Sequence, residues 1–374
     1  MPCKPSLVSM VVLASAAASA QDLVVRIGHV APLSGQGAAY GKDSENGVRM
    51  AIEELNAKGA PIGGKRARFE LVAEDDAGDP KQGSVVAQKL CDAKVNGIVG
   101  HLNSGTTIPA STIYHQCGVP HITAFATHPM LTQAGYQTTF RTTPNDNALG
   151  AGVARYAAQA LGVKTVAVID DRTAYGQGVA EVFKKTALAL GMKVVDEQYT
   201  TDKATDFTTL LTAIKPKNPD AIFFGGQYAQ AGPMLRQMEQ LGFTTVRFLG
   251  GDGICNPDLG KLAGGAKTAD NVVCTEGGTP LEKTASGLAW KARYDARFPN
   301  QFQVVSPHTY DATMVLADAM TRAGSADPRV YAPALFNTDF QGLMARIRFE
   351  ADGEMKDPPM TLYVYRAGKK TTLD

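Results

Sequence analysis

Two α/β domains, each built on a parallel sheet and joined by several chain crossings, are what this sequence predicts. Three observations lead there. The 374 residues exceed what one compact core usually holds. Short β-rich runs alternate with helical patterns through most of the chain. In the second half those runs begin about 27 residues apart, the size of a strand–helix unit that returns to a parallel neighbour. The composition, 44% hydrophobic and 20% charged, excludes a disordered tail, a collagen-like repeat and a disulfide-dominated mini-scaffold. Thirty-seven basic against thirty-six acidic residues leave a net charge of +1. Such a chain has no overall field to draw in nucleic acid or an anionic membrane, which points to small neutral or zwitterionic ligands.

Met1 to Ala20 read as a secretory signal peptide. Lys4 precedes an apolar stretch, Leu7 to Ala18, and Ala18-Ser19-Ala20 fits a small-residue cleavage site. The stretch is shorter than the roughly 20 apolar residues of a membrane span. Cys3 lies before it, the wrong place for a lipid-modified cysteine. An exported, soluble chain starting at Gln21 is expected.

The first strand set is Leu23–Val30, Arg68–Glu74, Gly97–Gly100 and His121–Thr123. Helical patterns around Gly41–Lys58, Lys81–Ala93 and Thr106–Gln116 lie between them. Val48, Ala51, Ile52 and Leu55 form a core-facing stripe on the first helix, and Gly59 fits its stop. The second set follows Arg141-Thr142-Thr143-Pro144, with strands Thr165–Ile169, Met192–Gln198, Ala221–Phe224 and Arg247–Leu249. Helices near Tyr175–Leu190, Phe207–Ile214 and Gln230–Leu241 fill its gaps. From about Gly277 the rhythm changes to longer helices, Thr284–Arg297 and Pro307–Ala323, then late strands at Arg346–Phe349 and Thr361–Tyr365. The tail is expected to return to both domains.

Export changes how the remaining cysteines read. Cys91, Cys117, Cys255 and Cys274 contain no C-x-x-C pair, so zinc-ribbon and thioredoxin chemistry lack their minimal spacing. In an oxidising compartment the simplest pairing is local, Cys91 with Cys117 and Cys255 with Cys274; four buried thiols are the alternative.

Ligands of open parallel sheets bind beyond the carboxyl ends of the strands, where loops enter helix N-termini. Ser104-Gly105-Thr106-Thr107 opens such a helix, whose unpaired N–H groups attract a carboxylate. The hydroxyls of Ser104 and Thr127 add hydrogen bonds without charge. Asp252, flanked by glycines in the other half, suits an ammonium. Tyr40, Phe125, Tyr175 and Tyr228 supply apolar walls. Together these suit a small zwitterion with a hydrophobic side chain. The enzyme alternative is a small-molecule hydrolase with Ser104, His101 and Asp75, but no G-x-S-x-G elbow surrounds the serine. Gly35 to Gly41 misses a dinucleotide loop by one glycine position, and no phosphate loop or H-E-x-x-H helix occurs. His101, His115, His121 and His128 fall on different elements without ligand spacing. No metal or cofactor is expected.

Several stretches, in this order, resemble the branched-chain amino acid (Leu/Ile/Val-type) solute-binding proteins of ABC transporters. They are Ile27–Gly41 (IGHVAPLSGQGAAYG), Asp75–Pro80 (DDAGDP), Gly100–Ser111 (GHLNSGTTIPAS), Ile122–Thr127 (ITAFAT), Tyr136–Thr143 (YQTTFRTT) and Tyr175–Gly178 (YGQG). The resemblance covers nearly all of the chain after the signal segment. It implies a periplasmic type I binding protein: two Rossmann-like lobes with parallel sheets, joined by three hinge crossings and closing over the ligand. It implies an N-terminal lobe of residues 21–143 plus 278–358 and a C-terminal lobe of 144–277 plus 359–374. By the same resemblance, Ser104 and Thr127 bind the carboxylate and amino ends, and Thr106 lines the same loop. Phe125 meets the ligand, Tyr175 is the second lobe's contact, Asp252 holds the ammonium and Tyr40 is a side-chain wall. Gln227 stands where an aromatic is often found, Phe125 is bulkier than usual, and Asp252 is one methylene shorter than the common glutamate. Gly78 and Asn103 replace a cysteine pair that many members carry. The implied function is capture of an aliphatic amino acid, Leu, Ile or Val, by a monomeric receptor that delivers it to an inner-membrane ABC permease. Another amino acid or an amide is the alternative cargo.

Overall fold

The computed structural model describes residues 22–265 and 267–373, so the expected signal peptide lies outside the described residues. Two sheets carry the chain. The first holds β1 (Leu23–Ala31), β2 (Pro61–Ile62), β3 (Lys65–Asp75), β4 (Gly97–Gly100), β5 (His121–Thr123) and β6 (Thr139–Arg141), in the order β2-β3-β1-β4-β5-β6. β1 is central, with Ile27 opposite Leu71 on one side and Gly97 on the other. Its buried run Ile27–Ala31 is what a strand covered on both faces requires.

The second sheet holds β7 (Thr165–Asp170), β8 (Lys193–Tyr199), β9 (Ala221–Gly225), β10 (Arg247–Gly250) and β11 (Val272–Gly277). After a separate ribbon of β12 (Phe340–Gln341) and β13 (Arg346–Ile347), β14 (Met360–Arg366) and β15 (Lys369–Thr372) complete it, in the order β15-β14-β11-β10-β9-β7-β8. The chain therefore passes between the sheets three times: after Arg141, after Gly277 and on entering Met360. The last two crossings touch, where Gly278 N–H donates to the Pro359 carbonyl at 2.8 Å.

Both sheets are parallel at their centres, as expected, and carry antiparallel strands at their edges. β2 pairs antiparallel at the edge of the first sheet, and β14 and β15 do so in the second. The unforeseen strands are short or polar: β6 is Thr-Phe-Arg, β15 is Lys-Lys-Thr-Thr, and β11 ends Thr-Glu-Gly. They are extended because a neighbouring strand holds them, not because of local propensity. Arg346–Phe349, expected as one strand, pairs only over Arg346–Ile347, and Phe349 makes an isolated bridge to Met355.

Helices cover both faces of each sheet. Ala38–Lys58 runs as the stripe predicts, with Val48, Ala51, Ile52 and Leu55 all buried and Gly59 left-handed at φ +66°. It packs beside Ser306–Ala323 on one face of the first sheet, burying Val25, Ile27, Leu316 and Met320 together. Pro80–Asp92 and Ser104–Cys117 cover the other face around Leu90, Ile98 and Tyr114. Phe183, Phe223 and Leu249 form one core layer of the second sheet, and Phe224, Met234 and Phe248 the other. No described helix is long and apolar enough to cross a membrane.

Both local cysteine pairs are disulfides: Cys91–Cys117 spans 26 positions and Cys255–Cys274 spans 19. Replacing Cys255 and Cys274 together by Ser is expected to cost about 2–4 kcal/mol of stability through the freed loop. Urea denaturation would read this as a lower midpoint; an unchanged midpoint would mean that this closure adds nothing.

Candidate functional site

The carboxyl ends of both sheets face one cleft. It is lined by Tyr40, Leu102, Asn103, Ser104, Phe125, Tyr175, Gln227, Asp252 and Gly253, and encloses about 270 Å³ including space open to solvent. No lysine or arginine is among these lining residues.

The first sheet supplies Ser104, at the start of Ser104–Cys117, where first-turn N–H groups lack helical partners. Its Oγ accepts from His128 N–H at 3.2 Å, which leaves its own proton free for a ligand. Phe125 follows β5, and Tyr40 lies in the first turn of Ala38–Lys58. The Tyr40 ring is 5.7 Å from Phe125 and 4.7 Å from Tyr228, which opens Tyr228–Gln240 on the opposite side of the cleft.

The second sheet supplies the acid. Thr173 caps Ala174–Ala189 by accepting from Gly176 N–H, which fixes Tyr175 in the first turn. Tyr175 Oη donates to Asp252 Oδ1 at 2.8 Å and accepts from Gly253 N–H at 2.8 Å, so one hydroxyl holds the Asp252 turn in place. Burial pushes the Asp252 carboxyl up to about 7, with the Glu276 carboxylate behind it adding to the rise and the Tyr175 hydroxyl opposing it. Glu276 itself is paired with Lys370 at 2.7 Å.

A second acid went unnoticed in the sequence. Asp146 begins Asp146–Gln159, and its N–H donates to the Thr127 carbonyl at 2.9 Å. Its side chain is fully buried, and neither carboxylate oxygen makes a well-formed hydrogen bond. The same holds for Thr127 Oγ1. Burial, and then the charge of Asp252, push the Asp146 carboxyl up to about 8 against the pull of the Thr127 hydroxyl and the Arg141 guanidinium. Arg141 is itself spent on the Ala126 and His128 carbonyls and on Glu354. In sequence, an acid in a helix's first turn reads as a partner of the helix dipole, and that masks Asp146. Gly178 of the YGQG stretch lets the two sides approach: a Cβ there would lie 2.4 Å from the His128 ring and 3.1 Å from Asp146 Oδ2.

The structure thus gathers Tyr40, Ser104, Phe125, Tyr175, Gln227 and Asp252 around the cleft. Thr127 sits buried behind it beside Asp146. Thr106 is buried away from the lining, its hydroxyl donating to the Asn103 carbonyl at 3.1 Å. The Ser104–His101–Asp75 arrangement does not form. His101 Nδ1 pairs with Asp76 and Nε2 with Tyr114, both at 2.8 Å, while Asp75 accepts from Leu33 N–H and Ala77 N–H. Against the burial that would raise it, His101 holds the Asp76 carboxyl below its ordinary value. Neither ring nitrogen of His101 is therefore free to act on Ser104. Among the described residues no group of three or more acidic, histidine or cysteine side chains could hold a metal.

Two α/β lobes whose strand ends converge on one cleft, with no lysine or arginine among its lining residues, define the class of protein. The chain belongs to the periplasmic binding protein family, whose profile matches residues 24–371. It is 34% identical over 348 residues to Leu/Ile/Val-binding protein homolog 1 of Brucella abortus, covering 93% of this chain and 91% of that one. It is 33% identical to the leucine-, isoleucine-, valine-, threonine- and alanine-binding protein of Pseudomonas aeruginosa, covering 91% and 89%. A leucine-binding protein from Thermotoga maritima superposes with a TM-score of 0.85 at 27% identity, covering 94% of this chain and 98% of that one. A solute-binding protein from R. palustris, solved with 4-hydroxybenzoate, is 19% identical with a TM-score of 0.82 over 94% and 96% of the two chains, and shares the fold alone.

Asp146 and Asp252 bind their protons more tightly folded than unfolded. The stability they contribute to the ligand-free protein is full below about pH 4 and is lost as pH rises through 7 to 8. Asp146→Asn is expected to flatten that decline, with a gain on the order of 1 kcal/mol at pH 8. Urea denaturation across this pH range measures it; parallel pH profiles for variant and parent would contradict the buried, unpaired acid.

Proposed function

We propose that the protein captures an aliphatic amino acid, Leu, Ile or Val, between its two lobes, with the carboxylate at Ser104 and the ammonium at Asp252. The observation that carries this reading is the buried Asp252, held by Tyr175 in a cleft whose lining has no cation. Such an acid has lost its hydration and has no lysine or arginine beside it among the described cleft-lining residues, so a ligand ammonium is the group that stabilises it best. Asp146 and Thr127 lie behind the same point and add negative charge and a hydroxyl. Tyr40, Phe125 and Leu102 offer an apolar wall for the side chain. Relatives whose names specify leucine, isoleucine and valine support the same class. In this reading the lobes are residues 21–143 plus 278–358 and 144–277 plus 359–374, and the crossings between them act as a hinge. A monomer exported to the periplasm by its first 20 residues would deliver the ligand to an inner-membrane ABC permease.

A benzoate-type ligand, as in the R. palustris relative, fits this cleft poorly. It brings a carboxylate and no cation, so it leaves the buried Asp252 and Asp146 without a positive charge from the ligand.

Calorimetry with a panel of amino acids, amides and benzoates tests the class. Aliphatic amino acids are expected to bind and benzoates to fail; tight benzoate binding without amino-acid binding would overturn the reading. Asp252→Ala is expected to lose about 2–5 kcal/mol of affinity for the bound amino acid. In the parent protein, affinity should rise between pH 6 and pH 8, because the ammonium prefers the ionised acids and their release of protons opposes binding at low pH. Affinity that falls over this range would contradict the acid–ammonium pairing.

A further inference from the structure

Three side-chain hydrogen bonds and one ring contact join the two sides of the cleft without involving its lining acids. Gln303 Oε1 accepts from Asn256 Nδ2 at 2.8 Å, and Gln303 Nε2 donates to Asp258 Oδ2 at 3.2 Å. Gln36 Oε1 accepts from Gln230 Nε2 at 2.5 Å, and Gln230 also donates to the Asp202 carbonyl. Between them the Tyr40 ring rests on Tyr228.

The two ends of each contact belong to different sheets. Gln303 is fastened to the first: Val304, Val305 and Ser306 N–H groups all donate to Asp43 Oδ2, and Asn46 donates to Gln301. Asp43 and Asn46 lie in Ala38–Lys58, which packs on that sheet. Asn256 is fastened to the second: its carbonyl accepts from Tyr365 Oη at 2.7 Å, and Tyr365 lies in β14. Gln36 precedes Ala38–Lys58, whereas Gln230 lies in Tyr228–Gln240.

We infer that Gln303 and Gln36 are affinity-determining residues, a two-sided clasp that holds the lobes closed on each other without touching the ligand. The Gln303 side chain bonds to Asn256 and Asp258 of the other lobe, and Gln303 is not among the cleft-lining residues. These bonds exist only when the lobes are shut, so they raise the fraction of molecules in the binding-competent state. Apparent affinity scales with that fraction, equally for every ligand that needs closure. The two branches differ in weight. Asn256 and Gln303 are buried, so losing Gln303 strands the Asn256 amide in the closed form, whereas Gln36 is exposed and water can replace it.

The ligand-side test rests on the amino-acid reading above. Gln303→Ala is expected to weaken leucine and isoleucine binding by the same factor, about three- to tenfold, chiefly through faster dissociation. Gln36→Ala, an exposed change that leaves the core untouched, should weaken both about twofold or less. The leucine-to-isoleucine ratio should stay at the parent value. An altered ratio would make Gln303 a ligand contact, and unchanged affinity in both variants would remove the clasp. Small-angle scattering of the ligand-free double variant separates this from failure of the amino-acid reading. A larger radius of gyration than the parent's upholds the clasp even if neither amino acid binds, and an identical radius with unaltered affinities overturns it.

Discussion

The hydroxyl of Tyr175 between Asp252 Oδ1 and Gly253 N–H is the contact on which the rest of this site depends. It fixes a fully desolvated carboxylate at the mouth of the second sheet, where no side chain of the cleft can neutralise it. An acid in that position is costly to the ligand-free molecule and favourable only with a cation beside it. Asp146 sharpens the demand, since two carboxyls so placed resist ionising together. In the proposed function, a small ammonium-bearing molecule meets that electrostatic need. In the same proposal, the helix start at Ser104, on the other sheet, offers the complementary polarity for a carboxylate.

The fold explains why these groups meet. In each sheet the parallel strands run toward the cleft, so loops from distant parts of the chain arrive at one place. The three crossings keep the sheets together while leaving each with its own core. The antiparallel tail strands β14 and β15 then brace the second sheet: Lys370 on β15 neutralises Glu276, and the Cys255–Cys274 link ties the Asp252 turn to β11. Positioning of the acid therefore draws on residues more than a hundred positions apart.

Much of this was legible in the sequence. The stripe on Ala38–Lys58 is periodic and local, and the strand-end rule led directly to Ser104, Tyr175 and Asp252. What escaped notice is set by non-local pairing. β11 and β15 are extended because of their neighbours, and nothing in Thr-Glu-Gly or Lys-Lys-Thr-Thr announces it. Asp146 looks like an ordinary first-turn acid until burial and the proximity of Asp252 are known. Its place in the loop makes Thr106 read as a lining residue, whereas its hydroxyl turns back to Asn103. The sequence sets His101 three residues from Ser104, whereas both of its ring nitrogens are taken by Asp76 and Tyr114.

The central claim, that the cleft receives a zwitterion with its positive end at Asp252, is tested most directly by a crystal structure of the protein with bound leucine. The account requires the leucine nitrogen within about 3 Å of the Asp252 carboxylate and the leucine carboxylate against Ser104. A leucine lying the other way round, or resting on one lobe with Asp252 untouched, would contradict it.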